Sequence, residues 1–171
     1  MTEVNIIQNI FSKDERKDLL EKSKPLLRDS RYYSTDGQTA EGFEWFRLTG
    51  ASMYTYPYLK FYHDRITKLI REKIGLNLAI MGSWMNLTDG RRKEIKWHNH
   101  AGFDYTVVYY LKTVPFLNSG TLIKDYGFVR SPQNSLLILP GNIDHSSPGF
   151  PFRFKRYTYA FNLNIITRGW N

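Results

Sequence analysis

The chain has 171 residues, of which 42% are hydrophobic and 16% aromatic, and it contains no cysteine. This length and composition exclude a disordered chain and fit one globular domain with a real core. The lack of cysteine excludes disulfides, thiolate metal ligands and a cysteine nucleophile, and it suits a reducing cytoplasm. We expect no transmembrane helix, because no apolar run approaches about 18 residues, and no signal peptide at Met1–Asn5.

The formal net charge of +8 is compatible with an acidic partner such as nucleic acid, an anionic cosubstrate or an acidic protein. The basic residues are spread along the chain, and the densest cluster is Arg91-Arg92-Lys93. We therefore interpret the charge mainly as a solvated surface. Nucleic acid is not the favoured partner, and we expect its binding to be weak and dependent on salt.

The first half of the chain predicts two helices among short strands. Ser12 and Glu15 form a capping box at the start of the first helix. Pro57 suits the first turn of the second helix, and Gly75 can end it. The predicted elements are a strand over 4–10, a helix ending near Asp29, a loop over 30–42, a strand over 43–48 and a helix over 57–74.

After Gly75 the apolar period changes from helical to alternating or continuous, which predicts strands. Asp89-Gly90 and Pro140-Gly141 are turn signals between them. Helices first and short strands afterwards favour an α+β fold, mainly β, with a β-sandwich or jelly-roll core. The predicted strands cover residues 76–87, 94–100, 104–112, 121–124, 135–139 and 152–166.

Three of the four histidines lie in two segments of this β region. His98 and His100 are two residues apart, so in a strand they point to the same side and can offer two imidazoles to one metal ion. His145 is the remaining histidine placed to supply a third ligand. Three protein ligands leave coordination positions open, as a catalytic metal needs. We interpret His63, in the second helix, as a surface or packing residue.

Arg156 and Thr158 lie two residues apart on the last predicted strand and therefore share a face. A guanidinium fork next to a hydroxyl is a good clamp for a carboxylate. The alternative is that Arg156 simply pairs with an Asp or a Glu.

Together these stretches resemble the Fe(II)- and 2-oxoglutarate-dependent dioxygenases, and they are most similar to the prolyl-hydroxylase-like branch with its small phage-encoded and bacterial members. The resemblance covers most of the chain, is densest over 83–164, and includes a family-like lead-in over 4–28. It rests on Ser83-Trp84-Met85-Asn86, His98-Asn99-His100, Thr106-Val107-Val108-Tyr109-Tyr110-Leu111, Gly120-Thr121-Leu122, Leu139-Pro140-Gly141, His145 and Arg156-Tyr157-Thr158-Tyr159-Ala160-Phe161-Asn162.

The resemblance implies a double-stranded β-helix core with the N-terminal helices packed on one sheet. It also implies an enzyme that uses Fe(II), 2-oxoglutarate and O2, and the lack of cysteine leads us to expect it in the cytoplasm. The implied reaction decarboxylates 2-oxoglutarate to succinate and hydroxylates a C–H bond of a protein, with prolyl as one candidate, or of a small molecule. We expect one domain over 1–171, with a helical lead-in over about 1–75 and a jelly-roll core over about 76–168.

Residue by residue, the resemblance implies that His98, His100 and His145 are the iron ligands and the catalytic centre. His100 stands where the family's usual motif has a carboxylate, and Asp104 is the other candidate for that position. Arg156, Thr158 and Tyr110 match residues that bind the far carboxylate of 2-oxoglutarate, and Asn86 sits beside the cosubstrate.

Two further readings remain. One is a cupin-type metal enzyme that does not use 2-oxoglutarate, and the other is a binding or structural module with a vestigial metal site. The prime substrate is not identified by the sequence. We expect its contacts on the loop over 30–42, the Arg91-Arg92-Lys93 turn and the segment 112–119, because substrate selection usually lies on loops.

Overall fold

The computed structural model describes residues 4–26, 33–34, 44–48, 56–92, 97–114, 120–148 and 150–166. Antiparallel strands dominate these residues, and neither of the two α-helices they contain could cross a membrane. In chain order the elements are β1 (Asn5–Gln8), α1 (Lys13–Leu26), β2 (Tyr33–Ser34), β3 (Glu44–Leu48), a 3₁₀ turn (Pro57–Leu59), α2 (Lys60–Ile74), β4 (Leu78–Arg92), β5 (Tyr105–Lys112), β6 (Gly120–Ile123), β7 (Gly127–Arg130), β8 (Ser135–Pro140), β9 (His145–Ser146) and β10 (Phe150–Ile165).

The described strands form two sheets. The larger has seven strands in the order β1-β8-β5-β10-β4-β3-β2, and the smaller has three in the order β7-β6-β9. Tyr110 and Leu137 of the larger sheet pack with Ile123 of the smaller one, so apolar side chains join the two sheets. The α+β class, mainly β with a jelly-roll core, is therefore confirmed.

Successive side chains of β10 point to opposite faces of the larger sheet, one apolar and one polar. Tyr157, Tyr159 and Phe161 point to one face of the larger sheet and are buried in the main apolar cluster. Both helices pack on that face, as predicted, through Leu19 of α1 and Ile66 of α2 among others. The residues between them on β10, which are Arg156, Thr158, Ala160 and Asn162, therefore point to the opposite face. Their polar side chains lie on the side of the smaller sheet.

The helix ends follow the sequence signals. Ser12 N donates to Glu15 Oε2 at 2.7 Å, and Glu15 N donates to Ser12 Oγ at 3.2 Å, which is the predicted capping box. Gly75 ends α2 in the left-handed conformation, with φ of 73°, where a glycine has no steric penalty.

The predicted turn at Asp89-Gly90 is wrong, because β4 runs through both residues to Arg92. Asp89 pairs with Lys155 of β10 and with Glu44 of β3, and Gly90 pairs with Phe154. Partners on both sides outweigh the local preference of Asp-Gly for a turn. Arg91 and Arg92 accordingly lie in a strand rather than in a turn.

The predicted strand over 94–100 is also not found in its described part, where His98 forms only an isolated bridge with His145. The predictions for residues 30–32, 35–42 and 115–119, which include most of the expected substrate loops, fall outside the described residues. The short strands β7 and β9 were not predicted, and β2 (Tyr33–Ser34) lies inside the predicted loop over 30–42, where it pairs with β3.

Gly141 is a point of close backbone approach beneath the histidine segments. Its N–H donates to Asp104 O at 3.0 Å, and its own carbonyl accepts from His100 N at 2.8 Å. A Cβ at this position would lie 2.0 Å from Phe103 O and 3.1 Å from His100 O. Any side chain would therefore push apart the two loops that carry His100 and His145.

His63 lies on the other side of the larger sheet, where its ring packs 6.2 Å from that of Phe161. It is buried, which confirms its interpretation as a packing residue. Burial lowers the pKa of the His63 imidazole, although the Asp64 carboxylate, 3.4 Å away, opposes the shift.

We predict that Gly141→Ala lowers the free energy of unfolding by about 1–3 kcal/mol, the usual cost of overpacking. Urea denaturation of the metal-free protein measures it. Gly82→Ala is the matched control, because a Cβ at Gly82 meets nothing within 4 Å. Equal denaturation midpoints for Gly141→Ala and wild type would show that the backbone around Gly141 does have room for a side chain.

We also predict that His63 makes the fold less stable in mild acid. The unfolded chain takes up a proton at this imidazole near its ordinary pKa of about 6.5, whereas the buried ring stays neutral, so stability falls as pH drops below that value. Denaturation at about pH 7.5 and about pH 5, with metal removed, should show a smaller pH-dependent loss for His63→Leu than for wild type. An identical loss in both proteins would show that this imidazole does not contribute.

Candidate metal centre

The three predicted histidines converge on one point between the sheets. The backbone bridge between His98 and His145, with N–O distances of 2.8 and 3.1 Å, holds two of them side by side, and His100 is tied to Gly141. One ring nitrogen of each histidine lies within 4.8 Å of the others. Nitrogens bound to one metal at about 2.1 Å can be at most about 4.2 Å apart. Only a small closure therefore separates this arrangement from a metal-bound one.

His145 is held in the protonation state and orientation that a ligand needs. Its Nδ1 lies 3.0 Å from Ile143 O, so Nδ1–H donates to that carbonyl and the lone pair of Nε2 is left for a metal. Burial lowers the pKa of His145 to about 4, and the neighbouring His98 adds to the effect. The ring is therefore neutral at physiological pH, which is the form that binds metals.

Asp104, the alternative second ligand, forms hydrogen bonds with the end of β10 instead. Its Oδ2 accepts from Ile165 N at 2.7 Å, and its own N–H donates to Asn164 Oδ1 at 3.1 Å. Its side chain thereby closes the end of β10 and is not part of the histidine cluster. The geometry favours His100 over Asp104.

A polar clamp on the outside of the cluster joins its two loops. Asn99 Nδ2 donates to Asp144 Oδ1 at 2.7 Å, and Lys124 Nζ donates to Asp144 Oδ2 at 3.1 Å. Asn99 lies between two of the histidines and Asp144 directly precedes the third. These bonds add side-chain links to the backbone bridge between the same segments.

Arg156 is a buried guanidinium with an incomplete set of partners. It is 4% exposed, and its Nη2 makes a long hydrogen bond of 3.4 Å to Gly120 O. Its Nε and Nη1 are buried and have no hydrogen-bond partner among the described residues. Its Cζ lies 5.1 Å from the centroid of the Tyr110 ring. Burial lowers the pKa of Arg156, but a guanidinium remains charged at neutral pH.

Polar side chains of neighbouring strands surround this guanidinium. Tyr110 of β5 and Thr158 of β10 are register partners, and so are Thr158 and Asn86 of β4. Tyr110 Oη lies 2.5 Å from Thr121 Oγ1 of β6, and Asn86 Nδ2 lies 3.5 Å from Thr158 Oγ1. The buried Asn86 Oδ1 has no partner among the described residues. The four predicted cosubstrate residues thus lie next to one another on adjacent strands.

The donor set suits the groups that the sequence resemblance implies. Three imidazoles without a thiolate fit Fe(II) and similar divalent metals, with coordination positions to spare. The unpaired N–H groups of a buried guanidinium fit an anion with a planar fork, such as a carboxylate. Burying a charge without a counter-ion is unfavourable, so a bound anion would stabilise the Arg156 guanidinium.

The sequence analysis missed several residues around these two groups. Thr121 lies against Tyr110, and the Trp84 ring lies 5.8 Å from that of His100. Asn162 lies next to His100, on the face of β10 that also carries Arg156 and Thr158. All three occur in the stretches that carry the resemblance, but their proximity depends on strand register.

No family model and no curated protein matches the chain. Solved structures do match its fold. The epimerase SnoN in complex with Fe3+, alpha ketoglutarate and nogalamycin RO superposes with a TM-score of 0.75 at 12% identity, covering 96% of this chain and 79% of SnoN. EctD from S. alaskensis with bound Fe gives 0.73 at 16% identity, covering 96% and 73%.

A prolyl hydroxylase from Trichoplax adhaerens, in complex with a peptide of hypoxia inducible factor, gives a TM-score of 0.71 at 14% identity, covering 95% of this chain and 83% of that protein. These matches extend over nearly all of the present chain. They confirm that it has the double-stranded β-helix fold found in Fe- and 2-oxoglutarate-dependent oxygenases.

Proposed function

We propose that the protein is an Fe(II)- and 2-oxoglutarate-dependent dioxygenase. It would couple the oxidative decarboxylation of 2-oxoglutarate to succinate with the hydroxylation of a C–H bond. The observation that carries this proposal is a buried guanidinium with unpaired N–H groups, Arg156, in the same fold as a three-histidine cluster. The two parts suit the two ends of 2-oxoglutarate, because a histidine-held metal can bind its 2-oxo acid end and a guanidinium its far carboxylate.

In this proposal His98, His100 and His145 hold the iron. Bound Fe(II) supplies the redox chemistry with O2 and 2-oxoglutarate. The three rings leave positions for both, because they occupy only part of the coordination sphere. The protein orients the ligands through the Ile143 carbonyl and the clamp around Asp144.

The far carboxylate of 2-oxoglutarate would lie against Arg156, with the hydroxyls of Tyr110 and Thr158 beside it. Two parallel N–H···O bonds from the guanidinium provide charge and direction together. Asn86 would line the cosubstrate between this carboxylate and the metal. Thr121 supports the Tyr110 hydroxyl from the smaller sheet.

The prime substrate would be a protein side chain, with prolyl as one candidate, or a small molecule. Similar folds are solved with both kinds of ligand, a peptide in the prolyl hydroxylase and nogalamycin RO in SnoN. Trp84 is half-buried on the site face of β4, within ring contact of His100. A substrate bound near the metal would therefore be able to contact the Trp84 ring.

The cupin reading accounts for the histidines but gives Arg156 no ligand. Leaving two N–H groups of a buried guanidinium and its charge without an acceptor or a counter-ion among the described residues is costly. If 2-oxoglutarate is the cosubstrate, its far carboxylate is the anion that pairs with Arg156.

We predict that alanine at His98, His100 or His145 weakens Fe(II) binding by more than about 100-fold, since even outer-shell substitutions typically cost 10- to 100-fold. Anaerobic Fe(II) titration measures the affinity. Asp104→Ala is the control and should bind iron with nearly unchanged affinity. If Asp104→Ala loses iron while His100→Ala keeps it, the proposed ligand set is wrong.

We predict that Arg156→Ala weakens 2-oxoglutarate binding by roughly ten- to a hundredfold, because a charge-assisted hydrogen bond is worth about 1.5–3 kcal/mol. Calorimetric titration into the metal-loaded protein without O2 measures the change. Arg156→Lys should fall between alanine and wild type, since it keeps the charge and loses the fork.

The control for overall charge is Arg65→Ala, which removes an arginine that pairs with Glu15 on the helical side. It should bind 2-oxoglutarate like wild type, and all these variants should keep their metal affinity. Equal 2-oxoglutarate affinity for Arg156→Ala and wild type would argue for a metal enzyme of another class.

A further inference from the structure

Asn162 connects a metal-ligand candidate to the body of the larger sheet. Its carboxamide lies between two side chains, with Nδ2 at 3.5 Å from His100 Nδ1 and Oδ1 accepting from Thr106 Oγ1 at 3.0 Å. Asn162 and Thr106 are both buried, and they are direct register partners on β10 and β5. The amide is therefore fixed on the side of Thr106 and reaches His100 with its other end.

A β-bulge lies in β4 across from Asn162, whereas β10 itself keeps its alternation and its register with Thr106 and Tyr105 of β5. The pairing of β10 with β4 shifts register between Asn162 and Leu163, so that Gly82 and Ile80 become successive partners and Met81 is the extra residue. β-Bulges redirect side chains and are common next to active sites. The partner across from Asn162 is Gly82.

The position of the proton on the His100 ring determines whether the oxygen or the nitrogen of the Asn162 amide must face it. A neutral imidazole carries one proton, so a ring that gives the Nε2 lone pair to a metal has its proton on Nδ1. That Nδ1–H is a donor and requires an acceptor. A carboxamide has nearly the same shape after a half-turn, and the half-turn exchanges its oxygen and nitrogen without displacing the neighbours.

The Thr106 hydroxyl permits either orientation, because it can donate to Oδ1 or accept from Nδ2. With Oδ1 toward His100, the chain of bonds runs from His100 Nδ1–H to Asn162 Oδ1, and from Asn162 Nδ2 to Thr106 Oγ1. With Nδ2 toward His100, the imidazole proton moves to Nε2 and blocks the nitrogen needed for the metal. The orientation of the amide and the ligating ability of His100 are thus coupled.

We propose that Asn162 is the positioning residue of the second ligand, and that its carboxamide oxygen holds His100 in the tautomer that leaves Nε2 to the metal. This inference rests on the proposed metal centre. For His145 the backbone carbonyl of Ile143 accepts the hydrogen bond from Nδ1–H, whereas for His100 a side chain accepts it. Asn162 can therefore be replaced without changing the backbone.

The proposal distinguishes aspartate from an apolar residue at this position. In Asn162→Asp a carboxylate accepts from His100 Nδ1–H, while the Thr106 hydroxyl donates to it, so the tautomer is kept and the ligand becomes more basic. In Asn162→Leu the carboxamide acceptor is removed. A role in packing alone would instead tolerate leucine at least as well as a buried charge.

The test uses Zn²⁺ as a redox-inert probe, without 2-oxoglutarate. We expect Asn162→Leu to bind Zn²⁺ about 10- to 100-fold more weakly than wild type, and Asn162→Asp to bind at least as tightly as wild type. Nitrogen NMR of labelled histidine should report the Nδ1–H tautomer of His100 in wild type and in Asn162→Asp. In Asn162→Leu it should report a mixture of tautomers in the metal-free protein.

Asn164→Ala is the matched control, because it removes an asparagine from the same strand whose side chain binds the backbone of Asp104. It should keep the Zn²⁺ affinity and the His100 tautomer of wild type. If Asn162→Leu does not fold, Asn162→Asp still decides, since weaker Zn²⁺ binding by this variant would overturn the inference.

Equal Zn²⁺ affinity for wild type and Asn162→Leu, or an Nε2–H tautomer of His100 in zinc-loaded wild type, would overturn the role of Asn162 and leave the proposed function standing. Failure of wild type to bind any divalent metal would overturn the metal centre and this inference together. The two failures are therefore distinguishable in one set of titrations.

Discussion

The central constraint in this molecule is the period-two alternation of the last strand, β10. One set of its side chains is aromatic or aliphatic and is buried against the two helices. The other set contains Arg156, Thr158 and Asn162 and lies on the opposite face with the site. Because the apolar set must stay in the core, the register of β10 is fixed, and a slip by one residue would bury the polar set against the helices. Core packing and site geometry are therefore determined together.

The sequence was most informative where the pattern is local. The capping box at Ser12, the end of α2 at Gly75 and the alternation over β10 depend on neighbouring residues, and each is found in the structure. The histidine pair was expected on a strand, yet His98 and His100 are held by a single bridge and by the close contact at Gly141. The histidines do converge as predicted, but the packing of loops, and not a shared strand, brings them together.

Long-range pairing explains what the sequence could not predict. Asp89-Gly90 is a strong turn signal, but strands on both sides keep it extended. The contacts of Thr121 with Tyr110, and of Asn162 with His100, depend on the register between strands that are distant in the chain. Asn162 looks in the sequence like any polar residue of an alternating strand, so it could be assigned to the site only once its partners Thr106 and His100 were known.

A three-histidine set differs electrostatically from one that includes a carboxylate, because no anionic ligand offsets the charge of the metal. In the proposed complex the negative charge would come from the cosubstrate itself, whose far carboxylate would meet the buried guanidinium. Metal and cosubstrate binding would consequently support each other. This reciprocity is a thermodynamic requirement wherever one ligand changes the affinity for another.

The most direct test of the central claim is the visible absorption of the anaerobic wild-type protein with Fe(II), before and after addition of 2-oxoglutarate. Our account predicts that 2-oxoglutarate produces a metal-to-ligand charge-transfer band, because its 2-oxo and carboxylate oxygens bind the iron held by the three histidines. Iron binding without any such band at saturating 2-oxoglutarate would contradict it.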